Sequence, residues 1–288
     1  MPSDSEPRSV PANHGLTPAI PTLAGSIVIW RTGARGREYL LIERPQGMAF
    51  GPGNHVFPGG SVEVDDSAVR VVGDPPPALL KNHAYFREAL RVALVASVRE
   101  AVEEVGVLLA KGQPGALRTI RRELVNKAKP LTPAEGRRTF SQSLHQGALE
   151  LAWDDFKVVS RWVTPEWFPR RFDTVFFLAK MPNDQALKFD ASEVERGLWL
   201  TAREALYSWS LGELPMMTAT VCVLAALHGA PFTRKTHLHG DEPLDPIMFR
   251  RYRSEGRTSV VYDCPFGLLE RDEILAQMRS MARTLGGS

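Results

Sequence analysis

From about His83 to Leu109 the chain keeps a 3.6-residue period, with Leu94, Val95, Val98, Ala101, Val102, Val105 and Leu109 on one face. The pattern predicts a helix that ends at Gly106 or soon after. Glu100, Glu103 and Glu104 fall on the opposite face, and their i, i+3, i+4 spacing gathers three carboxylates into one small volume. Their repulsion calls for compensation. A hard divalent cation with oxygen ligands, Mg²⁺ or Mn²⁺, is the natural partner, and Arg99 can brace one carboxylate from the helix side. A lone Glu-x-x-Glu-Glu run is more often a solvated acidic face, so its surroundings decide the reading.

Upstream, Ser26 to Trp30 and Tyr39 to Glu43 are short β-rich runs joined through Arg31 to Arg37, where Gly33 and Gly36 suit a hairpin-like connection. Pro45 to Gly60 holds Gly47, Gly51, Gly53, Gly59 and Gly60, too much glycine for a strand or helix interior, and is expected to be a shaped loop. Residues 1–21, rich in Pro and Ser, are expected to form a disordered tail. A pair of helices is expected within residues 112–153, the second opening on the capping box Thr132-Pro133-Ala134-Glu135. Strand character returns at Lys157 to Val163, Asp173 to Lys180 and Gly197 to Leu200. A second capping box, Thr201-Ala202-Arg203-Glu204, follows. Met216 to His228 and Glu270 to Leu285 are expected helices. This irregular alternation predicts an α/β chain, a mixed sheet with helices on its faces.

Composition narrows the function classes. A chain of 288 residues, 43% hydrophobic and 24% charged, can bury a sizeable core without disulfides. With 35 Lys and Arg against 33 Asp and Glu, the net charge of +2 gives no basis for a nucleic-acid footprint. The longest apolar stretch, Val221 to Leu227, is far shorter than a membrane span, and the first 21 residues match neither a secretory nor a transit signal. A cytoplasmic location without membrane partners is the default. The two cysteines, Cys222 and Cys264, lack zinc spacing and are expected in the core.

Arg99-Glu100-Ala101-Val102-Glu103-Glu104-Val105-Gly106-Val107 resembles the carboxyl half of the Nudix box, Gly-x5-Glu-x7-Arg-Glu-U-x-Glu-Glu-x-Gly-U with U aliphatic. Phe57-Pro58-Gly59-Gly60 resembles its start, and Asp66 stands where the family has Glu, at a position that supports the box. Between Asp66 and Arg99 lie 32 residues where the family has 7, an insertion of 25 carrying Pro75-Pro76-Pro77. The box is split over residues 60–107, at the junction of loop and helix. The insertion is expected to be a surface excursion whose end, from about His83, lengthens the helix. A box interrupted at this place is similar to the branch related to mitochondrial and peroxisomal coenzyme A diphosphatases. Leu40-Leu41-Ile42-Glu43-Arg44-Pro45, Gly53 and Phe57-Pro58-Gly59-Gly60 also resemble the coenzyme A-directed Nudix pattern, departing from it at Ile42, Pro45 and Ala49.

The resemblance implies an α/β/α sandwich over residues 22–230, with residues 231–288 an extension packed on it. It also implies a Nudix diphosphatase that uses Mg²⁺ or Mn²⁺ to hydrolyse a nucleoside diphosphate linked to another group, coenzyme A or acyl-coenzyme A foremost. The alternatives are a diphosphatase for ADP-ribose, NADH or dinucleotides, and a Nudix-fold sensor that no longer cleaves. Glu103 and Glu104 are the expected metal ligands, with Glu100 a third ligand or the general base. A loop acid, Glu193 with Glu195 its competitor, would complete the site. Arg44, Arg170 and Arg171 are expected phosphate contacts, and Gly59 and Gly60 line the substrate site. His237, His239 and Asp241 are read as incidental, His55 as a packing residue, and Trp153, Trp162, Trp167, Trp199 and Trp209 as core and rim aromatics.

Overall fold

The computed structural model describes residues 8–9, 18–48, 50–80, 84–126, 139–229, 246–254, 257–264, 267–270, 276, 279–280 and 283. Strand β1, Thr22–Gly33, turns directly into β2, Gly36–Glu43, and the two pair antiparallel from Trp30↔Tyr39 to Gly33↔Gly36. The hairpin is tighter and its strands longer than the apolar runs alone indicate, because the polar residues Arg31 and Arg37 remain in the ladder. Short β3, Gly59–Ser61, lies antiparallel on β1. Later in the chain β4, Phe156–Val163, β5, Phe172–Lys180, and β6, Arg196–Thr201, complete the central sheet. β5 runs parallel to β1, and the other neighbours, β6 with β2 and β4 with β5, are antiparallel. The sheet is therefore mixed, as expected.

Alternation along the strands sends side chains to two faces. Ile27, Ile29, Leu40, Ile42, Val175 and Phe177 point to a core shared with α1, Ala84–Val105. Val28, Leu41, Phe176 and Leu178 point to a second core covered by α4, Ala202–Leu211, and α5, Thr218–His228. Central strands apolar on both faces are the consequence of helices on both sides. The Thr201 side chain caps α4 as its sequence predicts, accepting from Glu204 N while Glu204 Oε2 accepts from Thr201 N.

The inserted segment contributes α2, Pro114–Asn126, and α3, Phe140–Gln146. Thr132 to Glu135 lies outside the described residues. The described second helix takes its capping box from Thr139 and Gln142. The excursion between Asp66 and α1 is exposed at Arg70, Val72 to Asp74, Pro76 and Pro77, and α1 begins beside the expected His83, but the segment is also anchored. Val69, Val71 and Leu79 are buried, Val71–Val72 pairs parallel with Leu151–Ala152, and Asp65 accepts from Ser141 N and Oγ at 2.9 and 2.6 Å. Two insertions therefore stabilise each other.

Of the amino tail, Arg8–Ser9 pairs with Tyr252–Arg253; residues 1–7 and 10–17 lie outside the described residues. Beyond residue 246 the chain adds β7, Ile247–Ser254, β8, Arg257–Cys264, and β9, Gly267–Glu270, and the order becomes β6-β2-β1-β5-β4-β7-β8-β9. Residues 276, 279, 280 and 283 are helical, inside the helix expected over Glu270 to Leu285. Cys222 is buried in α5, as expected. Among the described residues no helix is long and apolar enough to cross a membrane.

Candidate active site

The glycine-rich loop is fixed before any charged group enters. Ile27 N and Ser26 Oγ both donate to the Pro58 carbonyl, at 2.8 and 3.0 Å, and Gly53 N donates to the Arg44 carbonyl. Phe57 is buried against Phe176, edge to face at 6.4 Å. This holds Gly59 and Gly60 against the turn of α1 that carries Glu100 and Glu104. A Cβ on Gly59 would lie 2.5 Å from the Gly25 carbonyl oxygen, and one on Gly60 2.2 Å from Glu100 Oε1, displacing that carboxylate, so glycine lets the loop come this close to the box acids.

Arg99 organises one side of that turn. Its side chain is 4% exposed and donates to Asp66 Oδ1 at 3.0 Å, Glu100 Oε1 at 2.8 Å, Glu103 Oε2 at 2.9 Å and the Ser61 carbonyl at 2.9 Å. Asp66, fully buried, also accepts from Glu63 N at 2.8 Å, which is the supporting role expected of it. Burial opposes the guanidinium charge, but Asp66, Glu100 and Glu103 more than offset it, and its pKa is raised.

On the other side of the turn Arg99 reaches only Glu100. Glu100, Glu104 and Glu193 each present a carboxylate oxygen within 4.8 Å of the others. Glu104 is buried, and Oε2 accepts from Gly59 N at 3.0 Å. Burial, with Glu100 and Glu193 adding repulsion, raises its pKa well above the ordinary carboxylate range. Burial likewise pushes Glu100 up to about 7, with Arg99 opposing and Glu103 and Glu193 reinforcing. Three crowded acids of this kind can share one hard cation.

These acids line a cavity of about 820 Å³ whose walls include Arg44, Gly59, Gly60, Met48, Phe50, Trp167, Phe168 and Arg170. The structure thus brings Glu100, Glu104, Glu193, Arg44, Gly59, Gly60 and Arg170 together. Glu193 is in the cluster; Glu195 is outside it and donates its N–H to the Glu43 carbonyl. Arg44 points Nε at the Phe50 carbonyl, 3.0 Å away, and Arg170 is exposed with its guanidinium over the Phe172 ring.

Two expected residues are elsewhere. Glu103 stands apart from the cluster, half-exposed and bonded to Arg99, because i+3 and i+4 diverge by about 100° around the helix and the loop covers only the i+4 side. Arg171 is buried and donates to the carbonyls of Thr164 and Ala19 at 2.9 and 2.7 Å, so its donors hold main chain and it does not line the cavity. His55 is buried with Nδ1 on the Pro215 carbonyl at 3.1 Å, in keeping with packing. Trp162 and Trp167 are rim aromatics of the cavity, and Trp153 is in the core. The segment with His237, His239 and Asp241, and Ala49, lie outside the described residues. Phe168 and Phe172, which join Trp167 on the cavity wall, were not anticipated; their one signal in the sequence is an aromatic-rich, glycine-free turn between two strands.

No family model matches the chain. A Caenorhabditis elegans protein provisionally named nudix hydrolase 7 is 27% identical over 176 residues, 59% of this chain and 48% of that protein. This chain thus spans about half the length of that curated relative. The crystal structure of a NUDIX hydrolase from Alicyclobacillus acidocaldarius is 28% identical, covers 74% of this chain and 93% of its own, and superposes with a TM-score of 0.59. The NUDIX domain of Shewanella oneidensis NrtR complexed with ADP ribose is more distant, 11% identical over 72% of this chain and 85% of that one, with a TM-score of 0.38. With the fold and the box residues described above, the first two relatives support a place for this chain in the Nudix hydrolase superfamily.

Proposed function

We propose that the chain is a divalent-metal-dependent Nudix hydrolase that cleaves the diphosphate of a nucleoside diphosphate linked to a second moiety. The observation that carries this is the trio of Glu100, buried Glu104 and loop Glu193, gathered beside Gly59–Gly60 at the wall of a cavity of about 820 Å³. The trio fits Mg²⁺ or Mn²⁺ because it offers only oxygen donors, crowded together, with Glu104 held near its neighbours by the Gly59 N–H. When bound there, the cation would lower the pKa of a water and neutralise charge developing on the bridging oxygen.

The protein's own groups supply the rest. Glu104 and Glu193 hold the cation; Glu100 either joins them or takes the proton of the attacking water. Glu103, half-exposed on Arg99, tunes that guanidinium and does not reach the cation. Arg44 and Arg170 receive phosphate oxygens, and the Gly59–Gly60 loop lets the diphosphate approach main chain closely.

Coenzyme A or an acyl-coenzyme A is the favoured substrate. The cavity is large by the standards of small-molecule sites, and its aromatic and thioether wall of Met48, Phe50, Trp167 and Phe168 suits an elongated, partly apolar arm. Arg170 at the rim suits a phosphate outside the reacting diphosphate. A hydrolysis screen with Mg²⁺ and Mn²⁺ over coenzyme A, NADH, ADP-ribose, diadenosine polyphosphates and nucleoside triphosphates tests this, with products identified by mass. Coenzyme A is expected to give 3′,5′-ADP and 4′-phosphopantetheine. Faster cleavage of ADP-ribose or NADH would overturn the coenzyme A assignment, and no metal-dependent cleavage of any of them would overturn the proposal.

A further inference from the structure

Glu193 is the one member of the trio that the box helix does not carry. It is exposed, in the loop of residues 181–195 between β5 and β6, and local bonds from Glu193 N and Val194 N to the Asp190 carbonyl shape only the turn around it. After it, Val194 is buried and Glu195 N donates to the Glu43 carbonyl; before it, the loop is held by the end of α1. A helix leaves its last carbonyls without intrahelical donors. Here the Glu104 carbonyl accepts from Asp190 N and the Val105 carbonyl from Lys188 N, both at 3.0 Å. The Gln185 side chain both donates to the Leu108 carbonyl and accepts from Leu108 N, each at 2.9 Å. Gly106, at φ +69°, makes the turn that brings these partners into line, and a Cβ there would lie 3.0 Å from the Lys188 carbonyl oxygen.

The carbonyl of Gly106 itself is taken by α2. Arg121 Nε donates to it at 2.6 Å, and Arg121 Nη2 donates to the carbonyl of Ala186. One planar guanidinium, contributed by the inserted helix, therefore spans the end of the box helix and the loop that presents Glu193. We propose that Arg121 is a positioning residue: it fixes the register of residues 185–190 on α1 and so keeps the Glu193 carboxylate beside Glu104. The inserted helix α2 thereby serves the site without lining its cavity. This inference rests on the metal-binding reading above.

The test uses the full chain without substrate, comparing wild type with Arg121→Ala, Arg121→Lys, Glu193→Gln and the Arg121→Ala/Glu193→Gln double variant. Amide hydrogen exchange reads the loop, and Mn²⁺ titration followed by electron paramagnetic resonance reads the site. Arg121→Ala is expected to speed exchange at Lys188 and Asp190 and to weaken Mn²⁺ binding by about tenfold, as loss of an outer-shell partner does. It should add little to the loss caused by Glu193→Gln. Arg121→Lys, which keeps the charge but not the fork, should fall between, and it carries the test alone if Arg121→Ala does not fold. Unchanged loop exchange would overturn the inference. So would a loosened loop with unchanged Mn²⁺ affinity, or a loss additive with Glu193→Gln. If the wild type binds Mn²⁺ and Arg121→Ala binds it equally well, only this inference falls. A wild type that binds no Mn²⁺ overturns the metal reading, and this inference with it.

Discussion

Asp66 and Glu104 are both buried carboxylates on the two sides of one turn of α1, and their surroundings are opposite. Asp66 accepts from the Arg99 guanidinium and from a main-chain N–H, so its charge is balanced where it sits. Glu104 accepts from one main-chain N–H and faces two further acids, and its proton is correspondingly hard to remove. Burying an ion is unfavourable unless it is paired, so the first group stabilises the fold while the second strains it until something cationic arrives. The same helix turn therefore carries a structural ion network and, on the reading proposed above, a binding site. Glu100 belongs to both, with Oε1 on Arg99 and a carboxylate within reach of Glu104 and Glu193.

That contrast can be broken most severely at Arg99. Arg99→Leu leaves Asp66 buried without its cation and should destabilise the protein by about 3–5 kcal/mol, read by urea or thermal unfolding. A loss below about 1 kcal/mol would mean the network is ornamental. On the other side, Glu104→Gln and Glu193→Gln should each cut metal-dependent turnover by at least about 100-fold without lowering the melting temperature. Undiminished activity in both would remove the trio from the chemistry.

The pH dependence of stability sharpens the comparison further. In metal-free protein Glu100 is pushed up to about 7, against 4.5 for an ordinary carboxylate, and Glu104 is raised as well. Between these pH values the folded state holds a proton that the unfolded chain has released, so stability falls as pH rises, by up to about 3 kcal/mol for Glu100. Melting temperatures in chelator from pH 5 to 7.5 should decline, and Glu100→Gln should flatten the decline. A melting temperature that climbs through this window contradicts the account. The smallest effect is expected at Glu103, where Glu103→Gln should lower turnover by less than about tenfold because its oxygen bonds to Arg99 outside the trio. A loss as large as that of Glu104→Gln would erase the distinction between the two sides.

Local patterns made much of this legible in advance. The period of Leu94 to Val105 yields α1, Gly33 and Gly36 yield the hairpin, and Thr201-x-x-Glu204 yields the start of α4. What local pattern could not supply is which side of a helix a distant loop covers. Spacing makes Glu103 and Glu104 equivalent; the bond from Gly59 N, 45 residues upstream, to Glu104 and that from Arg99 to Glu103 separate them. Arg170 and Arg171 are likewise equivalent as a dipeptide, until β5 begins at Phe172 and turns the second toward the carbonyls of Thr164 and Ala19. The burial of Val69, Val71 and Leu79 depends on Leu151, some 80 residues on, and no period links them.

The central claim is that the trio on the Gly59 side of α1, and not the acids around Arg99, holds a divalent cation. It is tested most directly by the shift in melting temperature on adding Mg²⁺ or Mn²⁺ to metal-free protein near pH 7.5, since a ligand that binds only the folded state stabilises it by mass action. The account predicts a saturable rise that disappears in Glu104→Gln and Glu193→Gln and survives in Glu103→Gln. No rise in the wild type, or a rise that survives Glu104→Gln and disappears in Glu103→Gln, would contradict it.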